Sequence, residues 1–127
     1  MIGYVTLGTN DLASAIAFYD ELLADIGAGR VMESDTFVAW GVSPTAPALS
    51  VIKPNDGEAA TAGNGTMIAL VMDSPEKVDA LHKKAMALGA VNEGDPGARG
   101  DSSFYAGYFR DPDGNKLNAF CMTPSSK

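Results

Sequence analysis

The chain has 127 residues, of which 46% are hydrophobic and 20% charged, the composition of one ordinary globular domain. Its formal net charge is −7 and its longest basic run is Lys83-Lys84, so nucleic acids and anionic membranes are poor partners. A single cysteine excludes a disulfide framework, and without a membrane-length apolar run or signal-peptide pattern we expect a cytoplasmic protein.

The first half of the chain predicts a strand, a helix and three further strands. Residues 4–7 alternate in character, which is typical of a strand. Asn10 and Asp11 supply a helix cap, and apolar residues then recur every three or four positions until Gly27. A weak strand is predicted at 31–33, and two stronger ones at 37–42 and 49–52.

The second half repeats this order. A polar, glycine-rich stretch at 54–65 is typical of a linker. Residues 67–72 then predict a strand, and Ser74-Pro75-Glu76 opens a helix that ends at Gly89. Residues 92–103 are interpreted as a glycine-rich loop leading to a final hairpin. The pattern predicts an α+β domain of two tandem βαβββ units, one at about 1–53 and the other at about 66–122.

The hairpin turns on Asp111-Pro112-Asp113-Gly114-Asn115. Pro112 pre-sets the first corner and Gly114 can adopt the positive φ that closes the turn. With the first strand, the Asp11-Leu12 helix start and the Phe18-Tyr19 pair, this late turn resembles the vicinal-oxygen-chelate superfamily of glyoxalase I, bleomycin-resistance proteins and extradiol dioxygenases. The resemblance spans nearly the whole chain and implies mixed sheets that pair into a cupped half-barrel, with the helices outside.

The resemblance also implies where a metal would bind, and there this chain differs. Metal-dependent relatives carry two histidines and a glutamate at positions that here are Tyr4, Met67 and Asn118. Glyoxalase I adds a carboxylate late in the first unit, but 36–54 contains no acidic residue. Because imidazole and carboxylate are the groups that hold a divalent ion at such sites, we predict that no metal or other cofactor is bound.

Alternation along the strands predicts what lines the cup. It places Thr6 with Tyr4, Ala69 with Met67, and Phe120 with Asn118, an apolar lining with a few polar groups that suits an organic ligand. Trp40 could stack on that ligand and Arg99 could meet an anionic group, although core packing and a solvated loop are the commoner roles of such residues. The ligand-binding candidates are therefore Tyr4, Thr6, Trp40, Met67, Ala69, Arg99, Asn118 and Phe120.

Two residues that can carry chemistry are expected to lie outside the cup. His82, the only histidine, is predicted to be a surface or helix-flank residue of the second helix. Cys121 has the opposite parity to Asn118 along the strand, so it is predicted to be buried beneath a helix rather than to act as a nucleophile.

Two classes of function remain. The first is a metal-free protein that resembles the bleomycin-resistance branch and binds a small organic molecule without reacting with it. The second is a glyoxalase-like lyase or isomerase that acts on a small carbonyl compound, for which no catalytic residue is identified. The resemblance implies a homodimer in either case.

Overall fold

A computed structural model of the chain describes residues 1–100 and 103–123. It divides into two compact units, Met1–Ala62 (unit 1) and Gly63–Lys127 (unit 2). Unit 1 contains β1 (Tyr4–Gly8), α1 (Leu12–Ala24), β2 (Gly29–Glu33), β3 (Phe37–Gly41) and β4 (Ala48–Ile52). Unit 2 contains β5 (Ile68–Val71), α2 (Pro75–Ala87), β6 (Val91–Ala98), β7 (Phe104–Arg110) and β8 (Lys116–Met122). The chain is thus α+β, with two tandem βαβββ units, as the sequence predicted.

Each unit has one mixed four-stranded sheet. The strand orders are β1-β4-β3-β2 in unit 1 and β5-β8-β7-β6 in unit 2, and in each sheet the first pair is parallel and the others antiparallel. The pairing of the two sheets into a half-barrel stays a prediction. Both helices have 13 residues, and within residues 1–100 and 103–123 no helix is long and apolar enough to cross a membrane.

One helix packs on one face of each sheet. The buried residues of α1 are Ala15, Phe18, Tyr19, Leu22 and Leu23, and those of α2 are Val78, Leu81, His82 and Ala85. Both helices begin as predicted, with the side chains of Asp11 and Ser74 accepting hydrogen bonds from amides in the first turn. Because strand residues alternate, each sheet also has a helix-free face, which holds most of the candidate site residues discussed below.

The stretch predicted as a linker is partly held against unit 1. The Asn10 side chain forms two hydrogen bonds with the backbone of Ala60, at 3.0 and 2.7 Å. A Cβ atom at Gly8 would lie 3.0 Å from that of Ala60, so the segment passes close over the end of β1. Residues up to Ala62 accordingly belong to unit 1.

The prediction of a loop at 92–103 is wrong over much of this range, since β6 covers Val91–Ala98. Its glycines obscured the strand because glycine is depleted in regular strands. In β6 they allow two register shifts against β7 and a close approach of Tyr108, whose ring would lie 3.3 Å from a Cβ at Gly94.

The Asp111–Asn115 turn closes as predicted. The buried Asp111 carboxylate accepts hydrogen bonds from the amides of Asp113 and Asn115 and from the Asn115 side chain. Gly114 has φ +89°, a conformation in which other residues are strained. The turn therefore fixes the register of β7 against β8.

Asp20 provides a polar contact at the margin of the unit 1 core. The Trp40 indole Nε1 donates to its carboxylate at 2.8 Å, and Arg30 donates at 2.6 and 3.0 Å. These donors hold the pKa of Asp20 below its ordinary value of 3.8, with the Arg30 hydrogen bond as the largest cause. Asp20 thus lets a buried tryptophan satisfy its N–H group.

Substitution of Asp20 by alanine is expected to lower the free energy of unfolding by about 1–3 kcal/mol, because it leaves the Trp40 N–H without an acceptor. Asp20→Asn keeps an acceptor and removes only the charge, so it should cost about 1 kcal/mol or less at neutral pH. The measurement is urea denaturation followed by tryptophan fluorescence.

The pH dependence separates the two effects. A lowered folded-state pKa stabilises the protein above the ordinary value of 3.8, and this contribution is lost as the pH falls through the folded value. The wild type and Asp20→Asn should therefore converge in acid, whereas Asp20→Ala stays less stable. A constant gap between wild type and Asp20→Asn would contradict this account.

Candidate functional site

A pocket of about 330 Å³ lies on the helix-free face of the unit 1 sheet. Its floor is made by alternate residues of β1, β3 and β4, and its rim by β2 and the β3–β4 loop. The lining residues are Gly3, Tyr4, Thr6, Val31, Met32, Phe37, Ala39, Pro44, Thr45, Ala46, Ala48, Ser50 and Ile52. Pockets of this size and character hold small organic molecules.

The polar groups of this pocket are hydroxyls. The buried Ser50 Oγ lies 2.8 Å from Thr6 Oγ1 and 3.3 Å from the Val5 carbonyl oxygen, so hydrogen bonds within the sheet hold these two hydroxyls in place. The Tyr4 side chain is 65% exposed, and its phenol forms no hydrogen bond within the described part of the chain. The pocket therefore offers hydrogen bonding without any charge in its lining.

The structure brings two of the predicted site residues, Tyr4 and Thr6, into this pocket. Trp40 lies on the opposite face of the sheet, only 2% exposed, with its ring 5.5 Å from that of Tyr19 in α1. The prediction that Trp40 binds a ligand is therefore corrected, because its ring packs in the core and its N–H donates to Asp20. The parity of β3 decides this, since Phe37 and Ala39 face the pocket instead.

The other five candidates belong to unit 2. Tyr105 donates to Asp79 of α2 and Phe109 packs against His82, so the residues of β7 that alternate with them, such as Tyr108, face away from the helix. Strand register pairs Asn118 with Ala69 on one side and Tyr108 on the other, which places all three on the helix-free face of unit 2.

Phe120, Arg99 and Met67 are the remaining candidates of unit 2. Phe120 follows Asn118 on the same face and stacks on Phe104, with ring centroids 5.5 Å apart. The guanidinium of Arg99 lies 5.4 Å from the centre of the Tyr108 ring. Met67 precedes β5 and is 38% exposed.

Asn118 itself is unusual. Its side chain is 1% exposed, and its Oδ1 atom is buried without a hydrogen-bond partner in the part of the chain that is described. A buried acceptor in this state costs free energy that water or a ligand group could return.

Sequence reasoning missed several residues of these faces. Ser50 and Ala48 could have been found from the parallel pairing of β1 with β4, which sets them beside Thr6 and Tyr4. Tyr108 and Lys116 could have been found from alternation around Asn118. The β3–β4 loop carried no usable signal, because a loop has no side-chain period.

The two residues expected outside the cup both lie on the α2 side of the unit 2 sheet. Cys121 is buried as predicted, and burial raises the pKa of its thiol. The prediction of a surface position for His82 is wrong, since it is 5% exposed and its Nε2 lies 3.1 Å from Asn92 Oδ1 and 3.2 Å from the Tyr108 carbonyl oxygen. Gly107 makes room for the ring, because a Cβ there would approach the His82 ring to 3.0 Å.

The residues at the metal positions of the resembled family do not fit a divalent ion. Tyr4 offers a phenol, Met67 a thioether and Asn118 a neutral amide, whereas such ions prefer imidazole, thiolate and carboxylate. Within residues 1–100 and 103–123, no group of three His, Cys, Asp or Glu side chains is arranged to hold a metal.

Comparison with known proteins identifies the fold's relatives. A model of the family described as Glyoxalase/Bleomycin resistance protein/Dioxygenase superfamily matches residues 1–119. A glyoxalase/bleomycin resistance protein from Albidiferax ferrireducens T118 is 36% identical, with a TM-score of 0.85 over 95% of this chain and 98% of that chain. No protein of curated function matches the chain.

More distant solved structures share the fold. A lactoylglutathione lyase from Agrobacterium tumefaciens is 22% identical, with a TM-score of 0.70, and 95% of this chain covers 92% of that one. A genomically encoded fosfomycin resistance protein from Listeria monocytogenes is 18% identical, with a TM-score of 0.72 over 97% of this chain and 93% of that one. At these identities the likeness extends to the fold and not to the chemistry.

Filling the unit 1 pocket is expected to abolish binding there. Ala48→Phe projects a ring from β4 into the pocket, so the affinity for the neutral fluorescent probe 1-aminoanthracene should fall at least tenfold, roughly the loss of one buried apolar contact. The matched control is Ala17→Phe, on an exposed position of α1. Equal affinities of the two variants in a fluorescence titration would contradict the assignment of the pocket.

Proposed function

Because the chain belongs to the glyoxalase/bleomycin resistance protein/dioxygenase superfamily, we propose that it binds a small organic molecule in the unit 1 pocket without metal chemistry. In this respect it resembles the bleomycin-resistance branch, in which a ligand is held and not converted. The observation that carries the proposal is the pocket itself, about 330 Å³ in volume and lined by apolar side chains and hydroxyls without a charge.

The lining supports a binding role in two ways. Apolar residues such as Phe37 and Met32 provide contact area, and Met32 can adapt to ligands of different shape. The Thr6–Ser50 pair provides orientation through hydrogen bonds. Hydroxyls without a neighbouring base are poor nucleophiles, and the described pocket residues include no base to activate them.

The donor chemistry at the family's metal positions supports the absence of metal catalysis. A phenol, a thioether and an amide bind divalent ions weakly, so we derive no step through a metal. The competing function is that of a glyoxalase-like lyase or isomerase acting on a small carbonyl compound. The fold shared with lactoylglutathione lyase favours this function. No residue that lines the pocket supports it.

Metal loading separates the two functions. After incubation with zinc, nickel, iron or manganese and desalting, the untagged protein is expected to retain less than about a tenth of an ion per chain, since its side chains offer no competent ligand set. The same samples should not convert the hemithioacetal of methylglyoxal and glutathione.

Near-stoichiometric metal together with turnover would overturn the proposal and establish the enzyme. Zinc-loaded lactoylglutathione lyase serves as the positive control for both measurements. Saturable binding of 1-aminoanthracene without turnover supports the binding function, whereas no binding of this probe counts against the pocket as its site.

We further propose that the protein is a homodimer in the cytoplasm. Large apolar side chains are exposed on both units, among them Tyr4 at 65%, Val71 at 72% and Met122 at 61%. Exposed apolar side chains are the groups that a protein interface would cover. We expect light scattering at micromolar concentration to give twice the chain mass of 13.2 kDa, and a monomeric mass would contradict the dimer.

A further inference from the structure

In a second cavity of unit 1 we infer a binding site for a small zwitterion, a molecule that carries an ammonium group, a carboxylate and an apolar body. A free aliphatic amino acid or a short peptide has this chemistry. The cavity has a volume of about 490 Å³ and is lined by residues that follow β1 and β4 and by Thr36 before β3. Among the described residues, Ile52 alone also lines the pocket of the proposed function, so this inference goes beyond that function and can fail independently.

The segment beside the cavity, residues 53–60, is held in a defined conformation although its composition predicts a linker. The Gly57 amide donates to the Pro54 carbonyl oxygen at 3.0 Å, which closes a turn. The far end of the segment is fixed by the two hydrogen bonds between Asn10 and Ala60 described above. The cavity is therefore formed before a ligand arrives, and little affinity is lost to ordering of the segment.

Thr9 is a buried polar residue of the cavity wall, only 1% exposed. Its Oγ1 atom accepts a hydrogen bond from the Asp11 amide at 3.0 Å, so the hydroxyl hydrogen is not used in that contact. This hydrogen has no acceptor among the described residues. A buried donor without an acceptor costs free energy, which an oxygen atom of a ligand in the cavity would return. Thr9 therefore favours a ligand with an acceptor such as a carboxylate.

Two side chains of opposite charge, Lys53 and Glu58, line the cavity. The turn between them directs both to the same cavity, and neither forms an ion pair within the described residues. The nearby carboxylate of Asp56 does not line the cavity and accepts from the Glu58 amide at 2.9 Å. The cavity thus offers one available cation and one available anion.

This combination of charges decides the class of ligand. A simple anion would be attracted by Lys53 and repelled by Glu58, and a simple cation would meet the reverse. A zwitterion satisfies both side chains, and because its own net charge is zero, the net charge of −7 on the protein does not oppose its approach. Both side chains are exposed, so each contact is weakened by solvent and the affinity depends on meeting the two together.

The rest of the lining provides aliphatic contact. Ile52, Pro54 and Ala59 line the cavity, and no aromatic side chain does so within the described part of the chain. Aliphatic groups of a ligand are removed from water against such a wall. This favours an amino acid such as leucine over glycine, which has no side chain to contact it.

An NMR titration with three related probes tests the ligand class. The probes are L-leucine, 4-methylpentanoate, which lacks the ammonium group, and 3-methylbutylamine, which lacks the carboxylate. We expect L-leucine to shift the amide signals of Thr9 and Glu58 with a dissociation constant of about 1 mM or below. Each analogue should bind about fivefold more weakly, because it leaves one charge of the protein unmet. No saturable shift up to about 20 mM L-leucine, or equal affinities of the three probes, would overturn the inference.

Leucylleucine identifies the source of the zwitterion, because it carries the same two charges at a greater separation. Tighter binding of leucylleucine than of L-leucine supports the inference with a short peptide as the ligand. Tighter binding of L-leucine supports it with a free amino acid. Binding of neither overturns it.

Two substitutions assign the two charged contacts. Lys53→Met keeps the length of the side chain and should weaken L-leucine about fivefold without weakening 3-methylbutylamine, which has no carboxylate. Glu58→Gln should weaken L-leucine to a similar extent without weakening 4-methylpentanoate, which has no ammonium group. The control is Lys83→Met, at an exposed position of α2. An equal loss in Lys83→Met, or a loss of the analogue that lacks the partner group, would contradict the assignment.

Substitution of Thr9 separates a role in binding from a role in the fold. Thr9→Ser keeps the hydroxyl and should keep the affinity for L-leucine. Thr9→Val removes it and should weaken L-leucine and 4-methylpentanoate but not 3-methylbutylamine, because only the first two carry a carboxylate. If Thr9→Val lowers the melting temperature and weakens all three probes equally, the hydroxyl supports the fold alone and its role in binding is overturned.

Binding of 1-aminoanthracene to the pocket of the proposed function should be unchanged in Lys53→Met and Glu58→Gln. If L-leucine and leucylleucine fail to bind while 1-aminoanthracene still binds, the zwitterion site is absent and the proposed function stands. If 1-aminoanthracene fails and L-leucine binds with the expected preferences, the zwitterion site stands and the pocket of the proposed function does not.

Discussion

One helix covers one face of each four-stranded sheet, and the arrangement of the candidate sites within each unit depends on this constraint. The apolar stripes of α1 and α2 bury alternate residues of the strands beneath them, such as Trp40 and Phe109. Alternation then commits every second side chain to the other face, whatever its chemistry. The helix-free faces are thus a consequence of core packing, and the residues on them are available for binding because the core does not use them.

The helix-free faces of the two units differ in how their polar side chains are hydrogen-bonded. At the centre of the unit 1 face, Ser50 and Thr6 satisfy each other through a hydrogen bond of 2.8 Å. At the matching point of the unit 2 sheet, Asn118 pairs in register with Ala69, which has no polar group to offer. The hydroxyls of the first face are paired, whereas the second face contains a buried acceptor that has no partner among the described residues.

Family membership and activity must be argued separately for this chain. The fold is shared by a lactoylglutathione lyase and by a fosfomycin resistance protein, and at 22% and 18% identity this likeness concerns the fold alone. Activity must be argued from the side chains at the positions where the resembled family binds a metal, and here these are Tyr4, Met67 and Asn118. A phenol, a thioether and an amide are weak ligands of divalent ions, and the binding function proposed above is argued from this.

The sequence alone determined the elements and their repetition. Local signals are sufficient to place the helices, the strands and the tandem βαβββ order. These signals are the helix caps at Asp11 and Ser74, the turn at Asp111–Asn115, and the repeats of apolar residues that are typical of helices and of strands. They also predicted that Tyr4 and Thr6 share one face of the first strand, and both line the unit 1 pocket. They failed at β6, because glycine weakens the strand signal where a bulge and a close-packed ring require it.

Only the tertiary structure decided which face each strand presents and what lies across from it. The register of β3 places Trp40 in the core, where Asp20 accepts a hydrogen bond from its N–H, and the absence of a side chain at Gly107 leaves room for the buried ring of His82. The pairing of Lys116 and Arg99 at Tyr108, and the unmet acceptor of Asn118, likewise arise between residues from different strands. Such contacts depend on register and bulges, which are set by the packing of the whole sheet rather than by any local run of residues.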